Sequence, residues 1–315
     1  MARELVVVDG PSNLGLRPPV EGAVPGCYKL AGAVRDLGFV GRIGAADGGY
    51  VTPPRYDRGG WKPGDGVFNA GAIAAYTTRL ADRIERFVDQ GKFVVVLGGE
   101  CSNLLAPAVA LKRRGRYGVV YLDGHSDFRT VDNSPYVGAA GGEALALVTG
   151  RGQADLTDLE GLRPYVRDSD AVLLGIRADD DYAAEVQGVG IPVWTAARVA
   201  ADPAGAAHET LNHVGVAEPG ALDAREQGGA GEAESGGVDG FWVHLDVDIL
   251  DAALMPAVDS PDPGGIDHEQ LRALLRPLLR APGCVGIDIG IFDPDLDPDG
   301  KYAVELTDTL VAVLS

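Results

Sequence analysis

Seven short apolar runs punctuate the chain: Leu5–Asp9, Phe93–Leu97, Gly118–Leu122, Ala171–Ile176, Ile191–Trp194, Phe241–Leu245 and Val285–Ile291. Their near-continuous apolar character is that of strands buried on both faces of a sheet. Helical periodicity fills much of the space between them. The clearest case is Phe68–Gln90, where Ile73, Tyr76, Leu80, Ile84 and Phe87 recur at spacings of three and four. Gly26–Leu37, Asn103–Arg114, Asp267–Arg280 and Val304–Leu314 are further helices, and another begins over Glu143–Thr149. Strand and helix therefore alternate, which predicts an α/β fold with a mainly parallel sheet covered by helices on both faces. Ser12–Pro25 and Asp127–Gly141 read as loops, and Gly44–Gly66 as a long ordered loop near the functional face. Residues 216–240 are poor in apolar side chains and low in complexity, the composition of a mobile surface insertion within one domain spanning 1–315.

Composition narrows the function classes. With 315 residues and 46% apolar content the chain can bury a large core. No apolar run is long enough to cross a bilayer, and the start runs straight into a strand without the pattern of a signal peptide. Three cysteines, an odd number, argue against a disulfide framework and for a reducing, cytoplasmic setting. A formal net charge of -19 disfavours nucleic acid or an anionic membrane as partner. No Gly-x-Gly-x-x-Gly follows the first strand and no P-loop occurs, so a nucleotide site has little support.

The chemistry gathers where strands end, the edge at which parallel sheets bind ligands. After Leu122 comes Asp123-Gly124-His125-Ser126-Asp127. If the extended conformation persists, alternation puts Asp123, His125 and Asp127 on one side. That set suits a divalent cation; taken alone, the stretch reads equally as a turn whose aspartates cap a helix. After Leu245 come Asp246 and Asp248. Four carboxylates and one imidazole in a single cleft would be strongly unfavourable without cations.

Together these motifs resemble the arginase-like ureohydrolases (arginase, agmatinase, formiminoglutamase). Gly98-Gly99-Glu100-Cys101-Ser102 is similar to that family's Gly-Gly-Asp-His-Ser, and Asp123 to Asp127 to its Asp-Ala-His-x-Asp. Asp246-Val247-Asp248-Ile249-Leu250-Asp251 resembles its Asp-Val-Asp-x-x-Asp-Pro. Met255 to Gly265 matches a Pro/Gly-rich segment, and Asp288-Ile289 to Asp293-Pro294 falls at its last strand motif. The resemblance implies a three-layer α/β/α domain with an eight-stranded parallel sheet, assembled as a homo-oligomer, a trimer or hexamer. It implies two Mn²⁺ ions, one held by Cys101, Asp123, Asp127 and Asp246, the other by Asp123, His125, Asp246 and Asp248. Between them a hydroxide, oriented by Asp127, would attack a planar C–N carbon.

Four positions depart from the family pattern. Cys101 stands at a metal-binding His, and a thiolate favours Zn²⁺ over Mn²⁺; an inert buried Cys is the alternative. The proton-shuttle His falls on Ala140 or Gly141, with Glu143 the nearest catalytic substitute. The guanidinium-binding Glu falls on Ile291, which cannot pair with a cation. Arg129 replaces an Asn of the substrate loop and is able to grip a carboxylate or phosphate, while Asp180 matches a substrate-contacting Asp. The expected activity implied by the resemblance is thus a binuclear metal-dependent hydrolase cleaving a C–N bond of a small-molecule substrate, a guanidine, amidine or related compound, with conventional arginase or agmatinase activity doubtful. A single-Zn amide hydrolase of the deacetylase kind and a metal-binding scaffold without catalysis are the alternatives.

Overall fold

A computed structural model describes residues 3–134, 137–215 and 237–315. Its sheet is built from β1 (Leu5–Asp9), β2 (Ala46–Tyr50), β3 (Phe93–Leu97), β4 (Tyr117–Leu122), β5 (Ala171–Ile176), β6 (Val193–Thr195), β7 (Gly240–Asp246) and β8 (Cys284–Gly290). They pair in the order β2-β1-β3-β8-β7-β4-β5-β6, every neighbour parallel. In space β1 and β2 lie outward of β3 on one side, and β5 and β6 outward of β4 on the other. The last two strands, β7 and β8, then fill the gap between β3 and β4. This is a topological switch point, and it sets the carboxyl ends of β3, β8, β7 and β4 side by side. The acidic motifs sit at those ends.

Helices complete a three-layer α/β/α arrangement. Ala70–Val88 buries Ile73, Tyr76, Leu80 and Ile84 and packs against Leu105–Lys112. His268–Arg280 buries Leu271, Leu274, Leu275 and Leu278 and packs against Pro203–Val214 and Lys301–Leu314. Its start is closed by a capping box, Asp267 accepting from the Gln270 N–H while the Gln270 side chain accepts from the Asp267 N–H. Among the described residues no helix is long and apolar enough to cross a membrane.

Three expectations need correction. The stretch Gly44–Gly66 is not all loop, because Ala46–Tyr50 forms β2. That edge strand has one backbone-paired side and little burial, so it needs no apolar run. Gly48 is required there, since a Cβ would lie 2.8 Å from the Val7 carbonyl oxygen. The short strand expected at Ile191–Trp194 runs over Val193–Thr195, and the helices Ala196–Ala201 and Pro203–Val214 that follow it carry too few large apolar residues to stand out by periodicity. Most of the expected insertion, residues 216–236, lies outside the described residues. Its end does not: Gly240 opens β7, and the Val238 N–H donates to the Gly215 carbonyl at 3.1 Å, so the flanks of the segment meet.

Candidate metal centre

Each strand end supplies its side chains through a turn locked by hydrogen bonds. After β3 the backbone passes through Gly99 at φ +90°, where a Cβ would lie 2.7 Å from the Gly10 carbonyl oxygen. The turn delivers Cys101 to the centre and Glu100 beneath it. Buried Glu100 accepts from Ser12 Oγ (3.2 Å), the Gly15 N–H (3.1 Å), the Ser102 N–H (2.9 Å) and Ser102 Oγ (2.7 Å), so it pins the Ser12–Gly15 loop.

Beyond β4 the extended conformation does not persist, contrary to the alternation argument. The strand stops at Leu122, and Asp127 lies in the left-handed region at φ +44°. Convergence comes instead from a turn in which Asp123 Oδ1 accepts from the His125 N–H at 2.6 Å and Asp248 Oδ1 from the Gly124 N–H at 2.9 Å. After β7 a 3-10 turn over Val247–Ile249 is held by the Asp248 N–H donating to Asp246 Oδ1 at 2.7 Å. Side chains on one side of a locked turn replace side chains on one side of a strand.

The turns bring Cys101, Asp123, His125, Asp246 and Asp248 together. The Cys101 thiol donates to Asp246 Oδ2 at 3.0 Å. His125 Nδ1 lies 2.9 Å from Asp248 Oδ2 and its Nε2 3.0 Å from Asp262 Oδ2. Asp127 stands at the rim, its Oδ2 accepting from the Tyr121 hydroxyl at 2.6 Å. Two groups of potential ligand atoms each fall within 4.8 Å: Asp123 with His125 and Asp248, and Asp123 with Cys101 and His244. Asp123 is common to both.

The electrostatics are those of a centre lacking its counter-charge. Burial, then the charges of Asp127 and Asp248, hold Asp123 well above the usual carboxylate range. Burial and the neighbours Asp248 and Asp123 do the same to Asp246. Burial and the three carboxylates push the Cys101 thiol up. Burial also acts to raise Asp248, but the hydrogen bond and charge of His125 outweigh it and leave the group lowered. Among the described residues, Asp123 Oδ2 and His244 Nε2 are buried without a hydrogen-bond partner, which is rare in native interiors. A divalent cation answers both deficits, so these residues fit the metal that the resemblance implies.

The sequence reading passed over three residues that shape this centre. His244, fully buried on β7, stands two residues before Asp246 and on the same face. That spacing was a visible signal, masked by the surrounding apolar run. Tyr121 lies opposite it on β4, with ring centroids 4.5 Å apart, and orients Asp127. Arg177, also buried, donates from Nη2 to the carbonyls of Asp248 (2.7 Å), Asp262 (3.0 Å) and Leu250 (3.1 Å), bracing the segment after β7.

A cavity of about 530 Å³ opens above the centre, bordered by Arg17, Arg129, Asp127 and Ile291. Ile291 holds φ +75°, uncommon for a β-branched residue, and its N–H donates to the Gly99 carbonyl at 2.9 Å. A Cβ at Gly141 would lie 2.8 Å from Leu16 Cδ2, so a side chain there requires Leu16 to shift. Glu143 does not border this cavity. It is buried, accepts from the Gly138 N–H at 2.8 Å, and is raised by burial to about 7. Asp180 accepts from the N–H groups of Ser126 (3.0 Å) and Tyr182 (2.9 Å) beside a smaller hollow of about 180 Å³ that Arg129 also borders.

Fold and centre together define a class: an α/β/α hydrolase fold with candidate metal ligands clustered at the switch point of its parallel sheet. The chain belongs to the arginase family, whose profile matches residues 41–314. It is 28% identical over 251 residues to an arginase of Bacillus subtilis (strain 168), covering 77% of each chain. To a formimidoylglutamase of Halobacterium salinarum it is 29% identical over 296 residues, 86% of this chain and 82% of that one. Among solved structures, the arginase of Bacillus subtilis superposes with a TM-score of 0.81 at 23% identity, covering 100% of this chain and 99% of the other. A formiminoglutamase of Trypanosoma cruzi with Mn²⁺ superposes at 0.69 with 15% identity, covering 99% and 93%. At such identities these two structural matches speak for the fold alone.

Proposed function

We propose that this chain is a metal-dependent hydrolase that cleaves a C–N bond of a small guanidine, amidine or related substrate. The observation that carries the reading is the carboxylate of Asp123, buried and common to two ligand groups at the floor of an open cavity. Asp123 and Asp246 would be shared by two cations, Cys101 would serve one, and His125 and Asp248 the other. When bound, the cations supply an activated water and a Lewis acid for the C–N carbon.

The protein's own part is positioning and proton handling. Asp127, with Oδ2 fixed by Tyr121, keeps its other carboxylate oxygen to orient the attacking water and hold its proton. Arg129 has no hydrogen bond or ion pair from its side chain to a described residue and borders both hollows, so it can receive an anionic group of the substrate. Ile291 gives the cavity an apolar wall where recognition of arginine or agmatine would need a carboxylate, so we expect weak turnover of either. Glu143, held away from the cavity, is a proton reservoir at most, and Asp180 positions the Ser126 and Tyr182 amides at the edge of the substrate hollow. Three buried, unpaired cysteines support a reducing setting such as the cytoplasm, and a trimer or hexamer is the assembly expected from the family.

The test is a screen of guanidines, hydroxyguanidines, formimino compounds and acylamines by the metal-loaded protein, scoring released amine. Turnover of a carboxylate-bearing amidine above arginine supports the reading. Stoichiometric metal binding without turnover of any compound would instead establish the scaffold alternative, and one metal per chain with amide cleavage the single-Zn one.

A further inference from the structure

A second buried imidazole stands beside Cys101, on a different strand. His244 lies on β7 two residues before Asp246, and its ring nitrogen, the Cys101 sulfur and an Asp123 oxygen fall within 4.8 Å of one another. Its other nitrogen is already engaged: Nδ1 is 2.6 Å from Asp288 Oδ2, while Asp288 Oδ1 accepts from Trp242 Nε1 at 2.6 Å. A carboxylate oxygen at 2.6 Å suits the tautomer that donates from Nδ1–H, which leaves the lone pair on Nε2. That Nε2 is buried and unpartnered, and Asp123 Oδ2 is unpartnered likewise. The Tyr121 ring, 4.5 Å away centroid to centroid, fixes the plane of the imidazole. A carboxylate that holds a histidine by one nitrogen while the other faces a cluster of ligand atoms is the usual support of a metal-bound imidazole.

We propose that Cys101 and His244 are a thiolate–imidazole ligand pair in the inner half of the centre, with Asp123 and Asp246. This half thereby selects a borderline-soft cation such as Zn²⁺ or Co²⁺ over Mn²⁺. The proposal rests on the two-metal reading above and adds to it a ligand from β7 and a metal preference. The chemistry follows from the donor set: sulfur and imidazole suit Zn²⁺ and its neighbours, whereas Mn²⁺ is favoured by all-oxygen sites, and two such donors with two carboxylates make the four-ligand set that Zn²⁺ adopts. On metal binding the thiol proton leaves Cys101, and the hydrogen bond to Asp246 gives way to coordination of both atoms.

Metal-free protein titrated with Co²⁺ is expected to bind about two ions per chain and to develop an intense thiolate-to-Co²⁺ charge-transfer band in the near ultraviolet. Cys101→Ser should abolish the band, and Asp288→Asn, which removes the support of the imidazole, should weaken the inner site about 10- to 100-fold. His244→Asn, which removes the ligand itself, should weaken it more. The band of the Co²⁺-loaded protein, which reports only the site that holds Cys101, should be lost on adding Zn²⁺ and should survive a roughly tenfold excess of Mn²⁺; displacement by Mn²⁺ as readily as by Zn²⁺ would overturn the preference. Should a variant fail to fold, X-ray absorption at the zinc edge of the unaltered protein with one zinc per chain reads both ligands: one sulfur together with an imidazole around the zinc supports the pair, and a zinc lacking either overturns it. Two bound ions without a charge-transfer band, or wild-type affinity in a folded His244→Asn, would also overturn it while leaving the two-metal reading intact. Failure of the unaltered protein to bind any divalent ion would remove both.

Discussion

The two halves of the centre share Asp123 but are finished differently. In the outer half His125 has its side chain 24% exposed and both ring nitrogens are engaged by carboxylates, Asp248 and Asp262. In the inner half His244 is fully buried, with one nitrogen engaged and the other unpartnered. An imidazole that meets solvent and two carboxylates can lose a cation at modest cost, because other partners replace it. A sealed imidazole beside an orphaned carboxylate oxygen has no such alternative, and burial makes each unmet group cost about 1–3 kcal/mol. The contrast predicts a tightly held inner ion and an exchangeable outer one.

The harshest test removes what the halves share. Asp123→Ala is predicted to lower metal content from about two ions to below one per chain, with activity falling by roughly three orders of magnitude. Elemental analysis after desalting decides it; full metal content in this variant would mean that the halves do not depend on one bridging carboxylate. A smaller and one-sided loss is predicted for His125→Asn, confined to outer-ion affinity and larger than the roughly 10- to 100-fold that loss of a residue merely supporting a ligand costs. Chelator titration should then show the inner ion leaving as before and the outer one leaving early. Equal weakening of both steps would erase the distinction between the halves.

The same contrast explains what could be read from the chain beforehand. Six of the strands were legible nearly to their ends because buried parallel strands are continuous apolar runs, and β2 was not because an edge strand needs only backbone pairing. The outer half was legible as Asp123, His125 and Asp248, since those side chains stand in polar motifs. The inner half was half legible. Cys101 was visible as a departure from the family pattern, but His244 was hidden because a lone polar residue inside Phe241–Leu245 is read as part of the strand. Its meaning depends on Asp288, a partner 44 residues away that only the pairing of β7 with β8 brings alongside it. Turn geometry was the other hidden term: φ +44° at Asp127 has no residue-type signature as a glycine would have.

Arg129 borders the cavity together with His125 and Asp127, where the proposed function would seat an anionic group of the substrate. Arg129→Ala is predicted to raise KM for a carboxylate-bearing substrate about tenfold or more, the scale of a charge-assisted hydrogen bond, while kcat changes less and metal content stays the same. Steady-state kinetics beside elemental analysis separates these. An unchanged KM would leave the guanidinium as a solvated rim residue and move substrate recognition elsewhere.

Glu143 should affect the centre least and the pH dependence most plainly. It sits behind the loop bordering the cavity, raised by burial to about 7 while hydrogen-bonded to the Gly138 N–H. An unfolded glutamate ionises near 4.3. Because the folded value is the higher one, the folded chain holds the proton longer, so this group's contribution to stability is full below the unfolded value and is lost as pH rises through about 7. Glu143→Gln keeps an oxygen for the Gly138 amide but cannot ionise. Relative to this variant, the unaltered protein should therefore lose roughly 2–3 kcal/mol of unfolding free energy between about pH 5 and pH 8, from the linkage of about 1.4 kcal/mol per pKa unit. Denaturant unfolding of both proteins at the two pH values measures the difference directly, with metal-linked changes common to both cancelling. If Glu143 is only a buried acid, turnover in the variant stays within a few fold. A parallel stability difference at both pH values would show that the carboxyl is already ionised, and a collapse of turnover with metal content intact would make it the proton carrier that Ala140 and Gly141 cannot be.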